Sequence, residues 1–251
     1  MDRRRRTEPA ARAHVTLTER DGFVLLALAE CGYLSAAQIS RECFPSADRC
    51  RRRLRQLLDA KYITAFLCAS RDSNILAIGR DGLLALRDLG HDITGLTTPA
   101  PLRASAARHT LLISDMRLWA ARLNEAGLGQ LYAWEPGRGE YARQLGLAQH
   151  HLAPDALCVA SVQGHEITAV IEADCGHETQ ALTLKLRALK GWLATRRDTE
   201  LWLVVIGDDV RIRQIRTMIS EAGVGRWTRL FRQEEVISRP LGDPPGLVER
   251  P

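Results

Sequence analysis

Residues 200–206 read ELWLVVI, and this run constrains the fold more than any other part of the chain. A strand that shows one face to water alternates apolar and polar residues, whereas a continuous apolar run needs cover on both faces. Its neighbours can supply that cover. ARHTLLISDMRLWAARLNEAG, HETQALTLKLRALKGWLATR and DVRIRQIRTMISEAG carry helical periodicity, and QLYAWE, ALCVASV, EITAVIEAD and RWTRLFRQ are short apolar runs of strand length. From His109 the predicted order is helix, three strands, helix, strand, helix, strand, a mixed α/β layer arrangement over residues 107–235.

The N-terminal part reads differently. Thr18 can cap a helix carrying Phe23, Leu26, Leu28 and Ala29, which Gly32 stops. Ser35 can cap a shorter helix, AAQISREC, that breaks before Pro45. Ser46 or Asp48 then opens a third helix, in which Cys50, Leu54, Leu57 and Leu58 form one apolar stripe and arginines occupy the opposite face. ITAFLCA, the turn SRDSN and ILAIG read as a β-hairpin, and RDGLLALRDLG as a closing helix. Three helices with a basic third helix, followed by a two-stranded wing, is the order of a winged helix-turn-helix. The fold class expected for the whole chain is therefore α+β. A basic disordered arm (residues 1–16) leads to the winged helix (17–93), then a proline-containing linker (94–106), the α/β domain (107–235) and a disordered tail (236–251).

Charge supports a nucleic-acid partner through its placement more than its total. The formal net charge is only +5, from 35 basic and 30 acidic residues, but basic residues cluster at Arg3–Arg6 and again between Arg49 and Lys61. Arg49, Arg52, Arg53 and Lys61 on the third helix, with Arg71 in the wing, are the candidate contacts to double-stranded DNA, able to neutralise phosphates or reach guanine edges. A solvated arginine face is the alternative for an isolated helix; the hairpin that follows favours DNA. No run approaches the roughly 18 apolar residues of a membrane helix, and no apolar stretch follows the N-terminal arginines. The 6 cysteines lack the spacing of a zinc site and read as reduced thiols. A cytoplasmic protein without a membrane partner is expected. With no P-loop or dinucleotide fingerprint, no nucleotide cofactor is expected either.

The chemistry concentrates in one strand. Alternation along EITAVIEAD sets Thr168, Val170, Glu172 and Asp174 on one face, so two carboxylates project near the strand's end. Asp155, after Pro154, starts the preceding strand, and the turn VQGH between the two predicts a hairpin that brings Asp155 towards Glu172 and Asp174. Three carboxylates together repel unless neutralised, and hard oxygen ligands at that density suit Mg²⁺ or Mn²⁺, with Asp155, Glu172 and Asp174 as ligands. On the next helix, Lys185 lies at the edge of the stripe Leu182, Leu186, Leu189 and Leu193, on the side of Glu178 and Trp192, and can reach the strand ends. His109, His151 and Glu135 are weaker candidates. Tyr33, Tyr62, Tyr132 and Tyr141 read as core or surface residues, since no His-hydrophobe-His triplet accompanies them.

LAPDALCVASV, AVIEADCGHET and LTLKLRAL together resemble the C-terminal half of the replication-relaxation family, and the likeness extends over roughly residues 17–232. The resemblance implies a PD-(D/E)XK-like nuclease domain behind the winged helix, and a relation to MobC-type mobilisation relaxases. It assigns Asp155 to the Asp of the Pro-Asp pair, Glu172 to the acidic residue of the next strand, and Lys185 to a lysine displaced onto the helix. Asp174 stands where that motif has its usual lysine. Asp155, Glu172, Asp174 and Lys185 are then the catalytic candidates. The function implied is DNA nicking or cleavage in replication, relaxation or mobilisation of a plasmid or mobile element. The alternative is a non-catalytic regulator whose nuclease-like domain serves dimerisation or partner binding; a homodimer is compatible with both.

Overall fold

A computed structural model of the chain describes residues 15–66, 74–123, 127, 129–137, 139–150, 152–176, 179–196 and 198–238. The chain divides into two compact units, residues 1–102 and 103–251, and the architecture is α+β.

The first unit holds α1 (Glu19–Cys31), β1 (Leu34–Ser35), α2 (Ala36–Cys43), α3 (Ala47–Asp59), β2 (Ile63–Phe66), β3 (Ile75–Ile78) and α4 (Arg80–Asp88). Its helices start where short polar side chains can satisfy free N–H groups. Thr18 with Asp21, and Ser35 with Gln38, form reciprocal capping boxes. Ser46, rather than Asp48, caps α3. β2 and β3 pair antiparallel from Ile63 opposite Ile78 to Phe66 opposite Ile75. β1 adds a third strand to β3, with Leu34 opposite Leu76. Val24, Leu25, Leu28, Leu34, Ile39, Leu54, Leu57 and Leu86 form the buried interior. Phe23, one of the apolar residues expected along α1, is 59% exposed, because Val24, Leu25 and Leu28 fill the inward positions.

The second unit is a five-stranded sheet in the order β4 (Gly129–Pro136), β5 (Ala156–Val162), β6 (His165–Asp174), β7 (Thr199–Val205), β8 (Thr228–Arg232). The first three strands run antiparallel, and β6, β7 and β8 are parallel. Each parallel step is made by a helix, α7 (Thr179–Ala194) and then α8 (Asp209–Ala222). These cover one face, where Leu157, Val170, Leu201 and Leu203 meet Leu186, Leu189, Ile212 and Ile215. The other face carries Cys158, Ala169, Ile171, Trp202 and Val204 against α5 (Ala104–Ala121) and the terminal α9 (Gln233–Ser238). There Trp119, Trp202 and Phe231 stack edge to face at 5.3 to 5.8 Å. β7 is buried at every position, as ELWLVVI requires.

The structure changes three details of the expected outline. α5 begins at Ala104, inside the segment expected as linker, and Ser114–Ala120 are all buried, so this is not a helix with one wet face. α6 (Glu140–Gln144) and a 3-10 turn at Leu147–His150 fill the passage from β4 to β5. α9 runs past the expected boundary at 235 and buries Val236.

Candidate active site

The site begins with the β5–β6 hairpin. Gln163 and Gly164 both have positive φ, 52° and 80°, and join Val162 to its partner His165, the two-residue turn that matches strand twist. From that turn the register is fixed residue by residue to Ala156 opposite Ile171, and the Asp155 N–H still donates to the Ile171 carbonyl. The Asp155 side chain therefore lies beside Glu172, as the hairpin reading expects. Gly137 supports this end of the sheet: a Cβ there would lie 1.7 Å from the Pro154 carbonyl, so only glycine admits the approach.

The two carboxylates are held asymmetrically. Asp155 Oδ2 lies 3.0 Å from His109 Nε2 of α5 and accepts from the Ala173 N–H at 2.8 Å. Its other oxygen, Oδ1, is 3.9 Å from the Lys185 ammonium. Glu172, only 3% exposed, accepts from Lys185 at 2.5 Å through Oε2. Among the described residues no donor reaches its Oε1. Glu172 thus keeps one oxygen without a donor, while Asp155 engages His109 and Ala173 through Oδ2 and turns Oδ1 towards Lys185.

Their electrostatics diverge for the same reason. Burial raises the pKa of Asp155, but the bond to His109, the nearby Lys185 charge and the Ala173 N–H outweigh it and hold this carboxyl below its usual range. For Glu172, burial and the Asp155 charge prevail over Lys185, and its pKa is pushed up to about 8. All four side chains line a cavity of about 550 Å³, together with Ser105, Ala106, Asp174, Cys175, Ala181 and Leu182.

Asp174 corrects the expected three-carboxylate cluster. It lines the cavity, but both its oxygens are taken by Arg211 of α8, at 2.8 and 2.7 Å, and Arg211 also bonds Thr179. Two residues along a strand is a step of nearly 7 Å. Asp174 therefore sits past the end of β5, opposite Val205 of β7, where the first turn of α8 begins. Asp174 is neutralised by a guanidinium, so it does not join Asp155 and Glu172 as a ligand. Glu135 is likewise committed, accepting from the Tyr141 and Ala142 N–H groups at the start of α6. His109 gains most: its place beside Asp155 depends on α5 folding back over β6, which no local pattern reports.

On the first unit, Arg49 and Arg52 of α3 are exposed, and so is Lys61, which lies beyond the helix end at Asp59 and not on the helix as expected. Arg51 and Arg55 share that exposure. Arg53 is a correction. Its guanidinium binds Asp21 at 2.8 and 2.5 Å and the Thr16 carbonyl at 2.8 Å, so it joins α3 to the start of α1 and is not displayed for DNA. Arg71, His151 and Glu178 lie outside the described residues.

The pair Asp155 and Glu172 fits a small divalent cation. A buried carboxylate oxygen without a donor is costly unless a cation or proton completes it. Mg²⁺ commonly takes one or two carboxylates and fills its other positions with water and phosphate oxygens. Among the described residues no group of three or more His, Cys, Asp or Glu side chains is placed to hold a metal ion. The donor set available to an ion here is therefore two carboxylates, one fewer than expected. A model of the family described as replication-relaxation matches residues 25–198, from within α1 to the end of the loop after α7. No curated protein matches the chain.

Proposed function

Because the chain belongs to the replication-relaxation family, we propose that it is a DNA-binding protein of a plasmid or mobile element that nicks or cleaves DNA by metal-dependent phosphodiester hydrolysis. In this reading the first unit acts as a winged helix-turn-helix, with β2 and β3 as the wing and Arg49, Arg52 and Lys61 on backbone phosphates. The second unit acts as a PD-(D/E)XK-like domain, with Asp155 just before β5, Glu172 on the adjacent β6 and Lys185 on the helix that follows.

The reading rests above all on the buried, donorless Oε1 of Glu172 beside Asp155 in a cavity that also holds a lysine. Asp155 through Oδ1 and Glu172 through Oε1 would hold Mg²⁺ or Mn²⁺. When bound, such an ion lowers the pKa of a water and offsets charge on the phosphate. His109 and the Ala173 N–H fix the orientation of Asp155, so its Oδ1 needs no reorganisation. Lys185 supplies a positive charge at the cavity wall for the phosphate oxygens.

A supercoiled plasmid carrying the DNA that flanks the coding sequence, incubated with Mg²⁺, Mn²⁺ or EDTA, tests this directly. Metal-dependent conversion to open circle or linear product is expected, with loss of at least about a hundredfold in rate for Asp155→Ala and little change in DNA affinity. Equal cleavage by Asp155→Ala in Mg²⁺ would remove Asp155 from the chemistry. A second reading is favoured by the Asp174–Arg211 and Glu172–Lys185 pairs, which neutralise two of the acidic residues internally. It is a regulator that binds DNA without cleaving it, and DNA retention in a gel shift with no product under any metal would select it.

A further inference from the structure

Lys185 lies next to the position that a cation bridging Asp155 and Glu172 would take, on the other oxygen of Glu172. Its ammonium is 2.5 Å from Glu172 and 3.9 Å from Asp155. A divalent ion reaching both acids would meet that charge at short range, and two cations so close repel beside a carboxylate as buried as Glu172. The lysine has somewhere to go. Its side chain is 28% exposed, on a flexible four-carbon stem at the wall of an open cavity. A DNA phosphate entering the cavity offers the ammonium a new anionic partner.

We infer that the Lys185 ammonium, held on the second oxygen of Glu172, opposes a divalent metal at the Asp155–Glu172 pair in the free protein, and that this opposition is relieved when a DNA phosphate draws the ammonium away, so that metal and DNA bind with positive coupling. This rests on the metal-dependent reading above and goes beyond it by assigning the coupling to one side chain. Arg211 cannot substitute, being committed to Asp174 and Thr179. Nor can His109, which meets the opposite oxygen of Asp155 from the one facing Lys185. Coupling of this kind is reciprocal: whatever factor DNA adds to metal affinity, metal adds to DNA affinity.

The test is Mn²⁺ binding, read by electron paramagnetic resonance, with and without a short duplex bearing non-hydrolysable phosphate linkages. Asp155→Asn serves as the control for ions held by the DNA itself. The wild type is expected to gain roughly tenfold in Mn²⁺ affinity when DNA is present, within the usual span of allosteric coupling. Lys185→Met is expected to bind Mn²⁺ about tenfold more tightly than wild type without DNA, and to keep only the part of the DNA-dependent gain that phosphate ligation itself supplies. Lys185→Arg keeps the charge and should stay as weak as wild type without DNA. If Lys185→Met does not fold, Lys185→Gln, which also removes the charge, takes its place with the same expectations. A wild type whose Mn²⁺ affinity ignores DNA overturns the coupling while leaving the metal site intact, as does a Lys185→Met protein that binds no more tightly. Failure of every variant to hold Mn²⁺ above the Asp155→Asn background overturns the metal reading itself.

Discussion

Arg52 and Arg53 are neighbours on α3 with opposite roles, and the difference is one of angle. A step of 100° separates them, enough to leave Arg52 in water while Arg53 folds over Asp21. Asp21 is completely buried in the capping box of Thr18, so Arg53 is the charge that makes its burial tolerable. Removing one partner of such a pair costs about 3 kcal/mol, whereas truncating an exposed arginine costs little. Arg53→Ala is therefore expected to lower protection of the α1 amides in hydrogen exchange, and Arg52→Ala to leave it unchanged. Equal protection in the two variants would refute the distinction. Acidity should act on the same pair. Burial works against the charge of Asp21, but Arg53 and the Thr18 bonds prevail and lower its pKa below 3.8. Its contribution to stability is thus fully present above about pH 4, and is lost as pH falls through the lower folded value, where the unfolded chain binds the extra proton. In Arg53→Ala this acid-dependent loss should shrink, which exchange rates measured from pH 6 to 3 would reveal.

At the scale of elements, β6 shows how a correct alternation can still give a wrong cluster. Period two puts Glu172 and Asp174 on one face, but each meets what lies beside it: Glu172 the start of β5 and α7, Asp174 the start of α8. Arg211→Ala would strand Asp174, 6% exposed, without its bidentate partner, and should destabilise the second unit by about 3 kcal/mol. All five tryptophans lie beyond residue 103, so their fluorescence in a urea titration follows this unit. An unshifted midpoint would mean that the Asp174–Arg211 pair contributes nothing. The long elements were legible because apolar periodicity and caps are local signals: the Ser35 cap, the VQGH turn and the continuous β7 run each announced their element. β1 and α9 were not, since two or six residues carry no period. Asp155, Glu172 and Lys185 could be gathered from one hairpin and its following helix. His109, Arg211 and Arg53 take their roles from contacts 46, 37 and 32 residues away, where sequence spacing carries no information.

For the whole molecule, the proposed division of labour puts DNA affinity on one unit and the acid and lysine chemistry on the other. A net charge of +5 is too small to hold DNA by diffuse attraction, so the proposed affinity would have to come from local clusters of cations. The exposed set Arg49, Arg51, Arg52, Arg55 and Lys61 is such a cluster, and Arg53 is withdrawn from it. Each phosphate contact releases counterions and adds about 0.9 to the slope of log affinity against log salt. Arg49→Ala with Arg52→Ala should therefore reduce that slope by about two units, while Arg53→Ala should reduce it only as far as it unfolds the first unit. The carboxylates are untouched by the double change. Cleavage at saturating DNA should then proceed at the wild-type rate, and Mn²⁺ affinity without DNA should be unaltered. An unchanged salt slope would take the α3 arginines out of the interface and shift DNA binding to the cations of the second unit. A lost cleavage rate at saturation would mean that these arginines also set the geometry of the phosphate at Asp155 and Glu172.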